Sequence, residues 1–191
     1  MRTREHASPV TTASQTGLTF ILILSGLMAF TSLSTDIYLP AMPTMAEDLH
    51  GNVELTITGF LIGFTIAQLI WGPISDHMGR HKPLFIGMVL FIIGSAGCAL
   101  STSITQIVFW RVFQALGACT GPMLARAMIR DLFARTRAAQ MLSTLVLVMA
   151  IAPIAGPLIG GQIIRLSTWH SIFWLLVVIG ALMFILSRIH I

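Results

Sequence analysis

Six stretches of the chain are apolar over nearly the whole length that a helix needs to cross a lipid bilayer, about 20 residues. Prolines, glycines and serines separate them, and no connection is long enough to fold as a domain of its own. The pattern predicts an all-α polytopic membrane protein with six transmembrane helices. The predicted spans are Gly17–Leu39, Val53–Trp71, Pro83–Leu100, Thr105–Ala125, Met141–Ile164 and Ser171–Ser187.

The predicted six-span bundle occupies residues 17–187, between a tail of residues 1–16 and a short tail of residues 188–191. Arg2 and Arg4 before an apolar run are also typical of a signal peptide. This run is longer than the apolar part of a signal peptide and has no clear cleavage site before Asp36. We therefore predict that the first helix is retained.

The composition supports the bilayer as a partner. Of the 191 residues, 55% are hydrophobic and 9% are charged, whereas about a quarter of the residues of a soluble protein are charged. The net charge of +4 does not indicate nucleic-acid binding, because the basic residues do not gather on one soluble face.

The basic residues predict the orientation, because cytoplasmic connections carry an excess of Lys and Arg. Arg165 alone lies on one side and Arg111 lies within a span, while nine basic residues lie on the other side. These nine are Arg2, Arg4, Arg80, Lys82, Arg126, Arg130, Arg135, Arg137 and Arg188. Both termini are therefore predicted to be cytoplasmic.

Asp36 and Arg111 are charged residues within predicted spans, where a charge costs roughly 3 kcal/mol on insertion scales. From the rise of a helix, Asp36 lies roughly 6 Å and Arg111 roughly 9 Å below the outer surface. One interpretation is a proton site, because the proton affinity of a poorly solvated carboxylate changes when a neighbouring Arg moves or a cationic substrate competes. The alternative is a fixed ion pair that joins the first and fourth spans.

Two glutamines, Gln68 and Gln114, are the other candidate polar groups of the spans. Each is expected to hydrogen-bond between helices or to line a cavity, and the first role is favoured. Small residues recur at four-residue spacing, which predicts close helix crossings. These pairs are Gly59 with Gly63, Gly117 with Gly121, and Gly156 with Gly160.

The fifth predicted span adds Pro153, Pro157 and Gly161 to its small residues. Proline removes a backbone donor from a helix, so this segment indicates a bend or a close helix crossing.

The connection after the second span is predicted to be a tight turn. Asp76 is expected to accept backbone donors at a helix N-terminus, and Arg80 to reach a carboxylate such as Asp131. His77 and His81 have the spacing of a metal pair but lack an identified third ligand, so the sequence predicts no metal site and no cofactor.

Four motifs in these segments resemble those of the major facilitator superfamily. Gly72, Asp76, Gly79 and Arg80 match the Gly-x-x-x-Asp-x-x-Gly-Arg signature between its second and third spans. Arg111, Gln114 and Gly117 resemble its fourth-span motif, and Gly156-Pro157-x-x-Gly160-Gly161 resembles its fifth-span antiporter motif. The segment from Asp36 to Pro43 resembles the first-span motif of drug:proton antiporters. With the segment from Trp169 to Trp174, the pattern most resembles the Bcr/CflA, or bicyclomycin-resistance, branch.

The resemblance implies proton-driven efflux of drug-like small molecules across the bacterial inner membrane, with the proton gradient as the energy source. It implies that Asp36 and Arg111 take part in proton coupling, that the inner loop gates the conformational change, and that the fifth-span motif supports antiport. The sequence departs from the family's motifs at His81, Ala115 and Ala152, which weakens each motif without removing it.

Members of the superfamily have two six-helix halves that hold the substrate between them, so this chain resembles an N-terminal half whose C-terminal half is missing. The alternatives are a non-transporting remnant, a six-span module that associates with a separate partner half, and a parallel homodimer. A membrane enzyme is disfavoured, because no catalytic constellation is apparent within the spans.

Overall fold

The computed structural model describes the backbone of residues 11–190 and the side chains of residues 20–189. This part of the chain is 89% helical and contains no strand, which confirms the all-α prediction. The helices are α1 (Thr11–Asp36), α2 (Met42–Leu49), α3 (Glu54–Met78), α4 (His81–Ala99), α5 (Ile104–Ala118), α6 (Thr120–Leu132), α7 (Arg135–Leu166) and α8 (His170–His190). A 3₁₀ turn, Leu39–Ala41, joins α1 to α2.

By length and apolar composition, six segments of the described chain can cross a membrane, so the predicted number of spans is confirmed. One segment combines α1, the 3₁₀ turn and α2, another combines α5 and α6, and the other four are α3, α4, α7 and α8. We call the end of the bundle that holds Arg80 and Arg130 the inner end, and the end that holds Asp48 and Glu54 the outer end. The limits of the two predicted tails lie partly outside the described residues and stay predictions.

The first span is longer than predicted. The prediction ended it at Leu39 because Pro40 and Pro43 follow, but the chain stays helical to Leu49. Each proline occupies the first turn of its helical segment, where the backbone N–H that proline lacks has no intrahelical partner. Asp36 therefore lies near the middle of the apolar segment Phe20–Leu49 rather than near its end, where it was predicted.

The second span also continues beyond its predicted end at Trp71. Helix α3 passes through Gly72 and Pro73 to Met78. An internal proline removes only one backbone hydrogen bond of a helix, and the remaining hydrogen bonds of α3 keep the segment helical. The connection was predicted to be a tight turn, and it is shorter than predicted, because only Gly79 and Arg80 lie between α3 and α4. Gly79 has φ of 81°, which glycine adopts without strain.

The fourth span is interrupted between α5 and α6, where a single helix was predicted. Pro122 has no N–H to donate to the carbonyl of Ala118, four residues earlier. The Thr31 hydroxyl of α1 donates to that carbonyl instead, at 2.8 Å. A neighbouring helix thus satisfies the acceptor that the proline leaves free, as a water-free interior requires.

The helices differ strongly in how much surface they bury within the bundle. Helix α5 packs on α3 and α4, α1 packs on α6 and α7, and α4 packs on α8. In the most apolar window of each span, 61% of the residues of Ile104–Leu132 are buried, against 28% for α3 and 17% for α7. Helices α3 and α7 therefore present long apolar faces outside the bundle.

The Thr31 hydrogen bond makes a stability prediction. We expect Thr31→Val to lower the free energy of unfolding by about 1–2 kcal/mol, because the Ala118 carbonyl loses its donor inside the bundle. The matched control is Thr65→Val, since Thr65 is exposed and its hydroxyl donates within its own helix, to the Leu61 carbonyl at 2.9 Å. Thermal unfolding in detergent measures both, and equal melting temperatures for the two variants would contradict the assignment.

Candidate functional site

A buried arginine lies at the centre of the outer half of the bundle. Arg111, on the face of α5 that meets α1 and α3, has no exposed surface. The ring centroids of Tyr38, Phe60 and Phe173 lie 4.0, 4.6 and 5.9 Å from its guanidinium carbon. The faces of aromatic rings attract a cation, so this aromatic cage stabilises a charge that the bilayer would otherwise exclude.

Hydrogen bonds fix the guanidinium on one side only. Its Nη1 donates to Gln114 Oε1 at 2.6 Å and to the Ser34 carbonyl of α1 at 3.4 Å. Gln114 Nε2 in turn donates to Ser95 Oγ at 2.7 Å, and Ser95 donates to the Phe91 carbonyl of α4 at 2.8 Å. Gln114 thus bonds between helices, as predicted, and orients Arg111 relative to α4.

The other side of the guanidinium has no hydrogen-bond partner among the described residues. Both Nε and Nη2 of Arg111 are buried and unpaired. The ion pairs of the described part of the chain all involve Arg80, so the alternative of a fixed ion pair between Asp36 and Arg111 is wrong for this conformation. The physical reason is that Arg111 reaches α1 at the Ser34 carbonyl, whereas Asp36 lies against α7.

The fifth-span motif meets the first-span motif at this point. A side-chain carbon on Gly156 would lie 3.0 Å from Asp36 Cβ, and one on Gly160 would collide with the Ile37 carbonyl oxygen. Gly161 faces open space, and Pro153 is exposed. The predicted close crossing is therefore present, and its partner is α1, which the sequence analysis did not identify.

At the inner end, Arg80 joins α3 to α6. Its Nη1 donates to Asp76 Oδ1 at 2.7 Å and to Ser75 Oγ at 2.8 Å, and its Nε donates to Asp131 Oδ2 at 3.0 Å. The predicted contact between Arg80 and Asp131 is confirmed, and this carboxylate raises the pKa of Arg80. The predicted role of Asp76 at a helix N-terminus is wrong, because Asp76 lies in the last turn of α3 and binds Arg80. No side chain caps α4.

Sequence reasoning missed a contact at the outer end. The buried Trp169 donates from its indole Nε1 to Asp48 Oδ2 at 2.9 Å, and its ring stacks on His170 with centroids 3.6 Å apart. This contact ties α2 to the start of α8. In the sequence Trp169 is notable only as part of a family motif, and no local pattern links it to a carboxylate 121 positions earlier.

A cavity of about 510 Å³ opens between α1, α3, α6 and α7 on the inner side of Thr31. Gln68 lines this cavity and is exposed, so its favoured role in hydrogen bonding between helices is wrong and the cavity-lining alternative holds. Arg126 and Arg130 of α6 also line it, and the sequence analysis used them only to set the orientation. A second cavity, of about 350 Å³ between α1, α7 and α8, is lined by apolar residues and glycine.

Comparison with known proteins identifies related sequences over nearly the whole chain. A family model described as Major Facilitator Superfamily matches residues 22–190. The chain is 41% identical over 176 residues to YdgK of Bacillus subtilis, which is described as an uncharacterized MFS-type transporter. It is 31% identical over 166 residues to the bicyclomycin resistance protein homolog of Haemophilus influenzae, and 31% identical over 170 residues to multidrug resistance protein D of Escherichia coli.

These three alignments cover 89, 85 and 87% of this chain but 44, 42 and 43% of the relatives. The chain therefore spans less than half of the length of the curated relatives that it matches, and it corresponds to their N-terminal half. The family resemblance inferred from the motifs is confirmed, and the relatives are described as an MFS-type transporter and as resistance proteins.

Proposed function

Because the chain belongs to the major facilitator superfamily, we propose that it is the N-terminal half of a proton-driven exporter of drug-like small molecules. In this proposal the transporter lies in the bacterial inner membrane with both termini of this half in the cytoplasm. The proton gradient supplies the energy, and a second six-helix half completes the substrate site.

The observation that carries the proposal is the unpaired side of Arg111. A buried charge without a counter-ion is unstable unless other groups compensate it, and here only aromatic faces and two oxygen acceptors do so. The Nε and Nη2 groups can donate hydrogen bonds to an anionic partner at another stage of the transport cycle. Asp36 is the carboxylate suited to this role, because it lies on α1 two residues after the carbonyl that Arg111 already contacts.

The position of Asp36 supports a link between its protonation and helix movement. In this conformation Asp36 is held against Gly156 of α7. Loss of its proton creates a charge that is attracted to Arg111, and moving the carboxylate there changes the contact of α1 with α7. Protonation reverses the exchange, so each proton that passes Asp36 shifts α1 relative to α7.

The inner ion-pair cluster supports a role in the same cycle. Arg80 holds the inner ends of α3 and α6 together through Asp76 and Asp131. The two carboxylates are 67% and 51% exposed, so water can replace these contacts at small cost. A cluster of this kind can open and close during transport, which fits the gating role that the resemblance implies.

The test is drug accumulation in inverted membrane vesicles that contain the transporter, measured with and without a proton gradient. We expect Asp36→Asn to abolish gradient-driven accumulation of bicyclomycin, the drug in the name of the Haemophilus influenzae relative, because the amide cannot exchange a proton. Glu47→Gln is the matched control, since Glu47 is an exposed carboxylate of α2, and it should retain accumulation. Unchanged accumulation by the Asn variant would rule out the proton role.

The same assay addresses the non-transporting alternatives. If the chain inserts correctly but its vesicles never accumulate the drug, even when a C-terminal six-helix half is co-expressed, the chain is a non-transporting remnant. Accumulation only with the co-expressed half would indicate a six-span module.

A further inference from the structure

We propose that the cavity of the inner half binds the anionic end of an amphiphilic small molecule, with Arg126 as the principal contact. This assignment of a substrate class rests on the proposed transport function. The cavity is lined by Thr31, Phe64, Gln68, Met123, Arg126 and Arg130, among others.

The size and lining of the cavity suit a small molecule. Its volume of about 510 Å³ lies within the range of known ligand sites, about 300–1,000 Å³. Phe64, Met123 and Met149 supply apolar surface, and the flexible methionine side chains can adapt to ligands of different shape. Both charged groups of the lining, Arg126 and Arg130, belong to α6, so a bound molecule would place a charged end against that helix and an apolar part against the other side chains.

The charges within the cavity determine the class of ligand. Arg126 and Arg130 form no ion pair with a described residue, and the carboxylates at the inner ends of α3 and α6, Asp76 and Asp131, both bind Arg80. No carboxylate is among the residues that line the cavity. A cationic drug would therefore meet only like charge, whereas a carboxylate or another anionic oxygen group would find two uncompensated guanidinium groups.

The depth of Arg126 separates it from the basic residues that only set the orientation. It lies one helical turn deeper in the bundle than Arg130, and about 12 Å along the helix from the Ala118 carbonyl that Thr31 binds. Arg135, by contrast, lies at the start of α7 and does not line the cavity. Gln68 of α3 faces the same cavity and offers an amide donor to a bound oxygen.

The experiment compares three probes that share one ring system. Binding of 1-naphthoate, 1-naphthalenemethanol and 1-naphthylmethylamine to the full chain in phosphatidylcholine nanodiscs is measured by equilibrium dialysis, and binding to empty nanodiscs is subtracted. We expect the anionic probe to bind about tenfold more tightly than the cationic one, which corresponds to one charge-assisted hydrogen bond.

The variants assign the effect to the cavity. Arg126→Gln should remove most of the preference for naphthoate, Arg126→Lys should keep part of it, and Arg135→Gln should leave it unchanged. Equal binding of the three probes, or an unchanged preference in Arg126→Gln, would overturn the proposal. Loss of naphthoate binding in phosphatidylglycerol nanodiscs would overturn it as well, since a lipid headgroup would then occupy the site.

The outcome is separable from that of the transport assay. Arg126-dependent naphthoate binding without gradient-driven accumulation of any drug would contradict the proposed transport function and leave the anion site standing. Gradient-driven accumulation with no effect of Arg126→Gln on naphthoate binding would contradict the anion site alone.

Discussion

Gly160→Ala will lower the free energy of unfolding by about 2–3 kcal/mol, the cost expected when a methyl group is forced into a filled contact. The added carbon collides with the backbone carbonyl oxygen of Ile37. A backbone atom cannot rotate aside as a side chain can, so α1 and α7 must separate. Separation also loosens the neighbouring contact of Gly156 with Asp36.

The adjacent glycine provides the control for this prediction. Gly161 belongs to the same motif, but a side-chain carbon there meets no atom within 4 Å. Gly161→Ala should leave stability unchanged or raise it by up to about 1 kcal/mol, because alanine favours a helix over glycine. Thermal unfolding of both variants in the same detergent tests the pair. If they melt at the same temperature, the close crossing of α1 and α7 is not the reason for the glycine.

Arg111→Met will abolish most of the gradient-driven transport without lowering the stability of the protein. Methionine fills the space between Tyr38, Phe60 and Phe173 without a charge, and replacing buried ionic groups with apolar ones is often neutral or stabilising. We expect the melting temperature to stay the same or to rise. In the vesicle assay, gradient-driven bicyclomycin accumulation should fall at least about tenfold, because the variant gives the Asp36 carboxylate no cation to approach.

Arg165→Met is the control for the loss of one positive charge, since Arg165 is exposed near the end of α7. It should leave both measurements unchanged. A large drop in the melting temperature of Arg111→Met would instead mean that the arginine is a structural residue of the cage. Retained accumulation in a stable Arg111→Met variant would remove Arg111 from the proton pathway.

The number of spans was predictable from the sequence because each span satisfies its own backbone and has a strong apolar signal. The ends of the spans were less predictable. Pro40 and Pro73 were interpreted as helix ends, yet one starts a helical turn and the other lies within α3. Pro122, within a span predicted as continuous, interrupts the fourth span instead. The effect of a proline depends on how its helix packs against neighbours, as where Thr31 of α1 donates to the carbonyl that Pro122 leaves free, and a local pattern does not contain that packing.

The residues of the candidate site were predictable from the sequence, but their contacts were not. Asp36 and Arg111 could be singled out because a charge within an apolar span is rare, and Arg80 and Asp131 because opposite charges lie at the same end of the bundle. The depth estimate was too coarse to decide whether Asp36 touches Arg111. The rotation of α1 about its axis determines whether Asp36 faces Arg111. That rotation depends on the packing of Gly156 and Gly160 against Asp36 and Ile37.

The two prolines of α7 have a mechanical consequence. Pro153 and Pro157 cannot donate to the carbonyls of Met149 and Pro153, so two consecutive turns of α7 each lack one backbone hydrogen bond. Bending stiffness in a helix comes largely from these bonds, and sharp bends occur where they are absent. Helix α7 therefore has two stiff ends joined by a segment that bends more easily. Gly156, at the contact with Asp36, lies inside that segment.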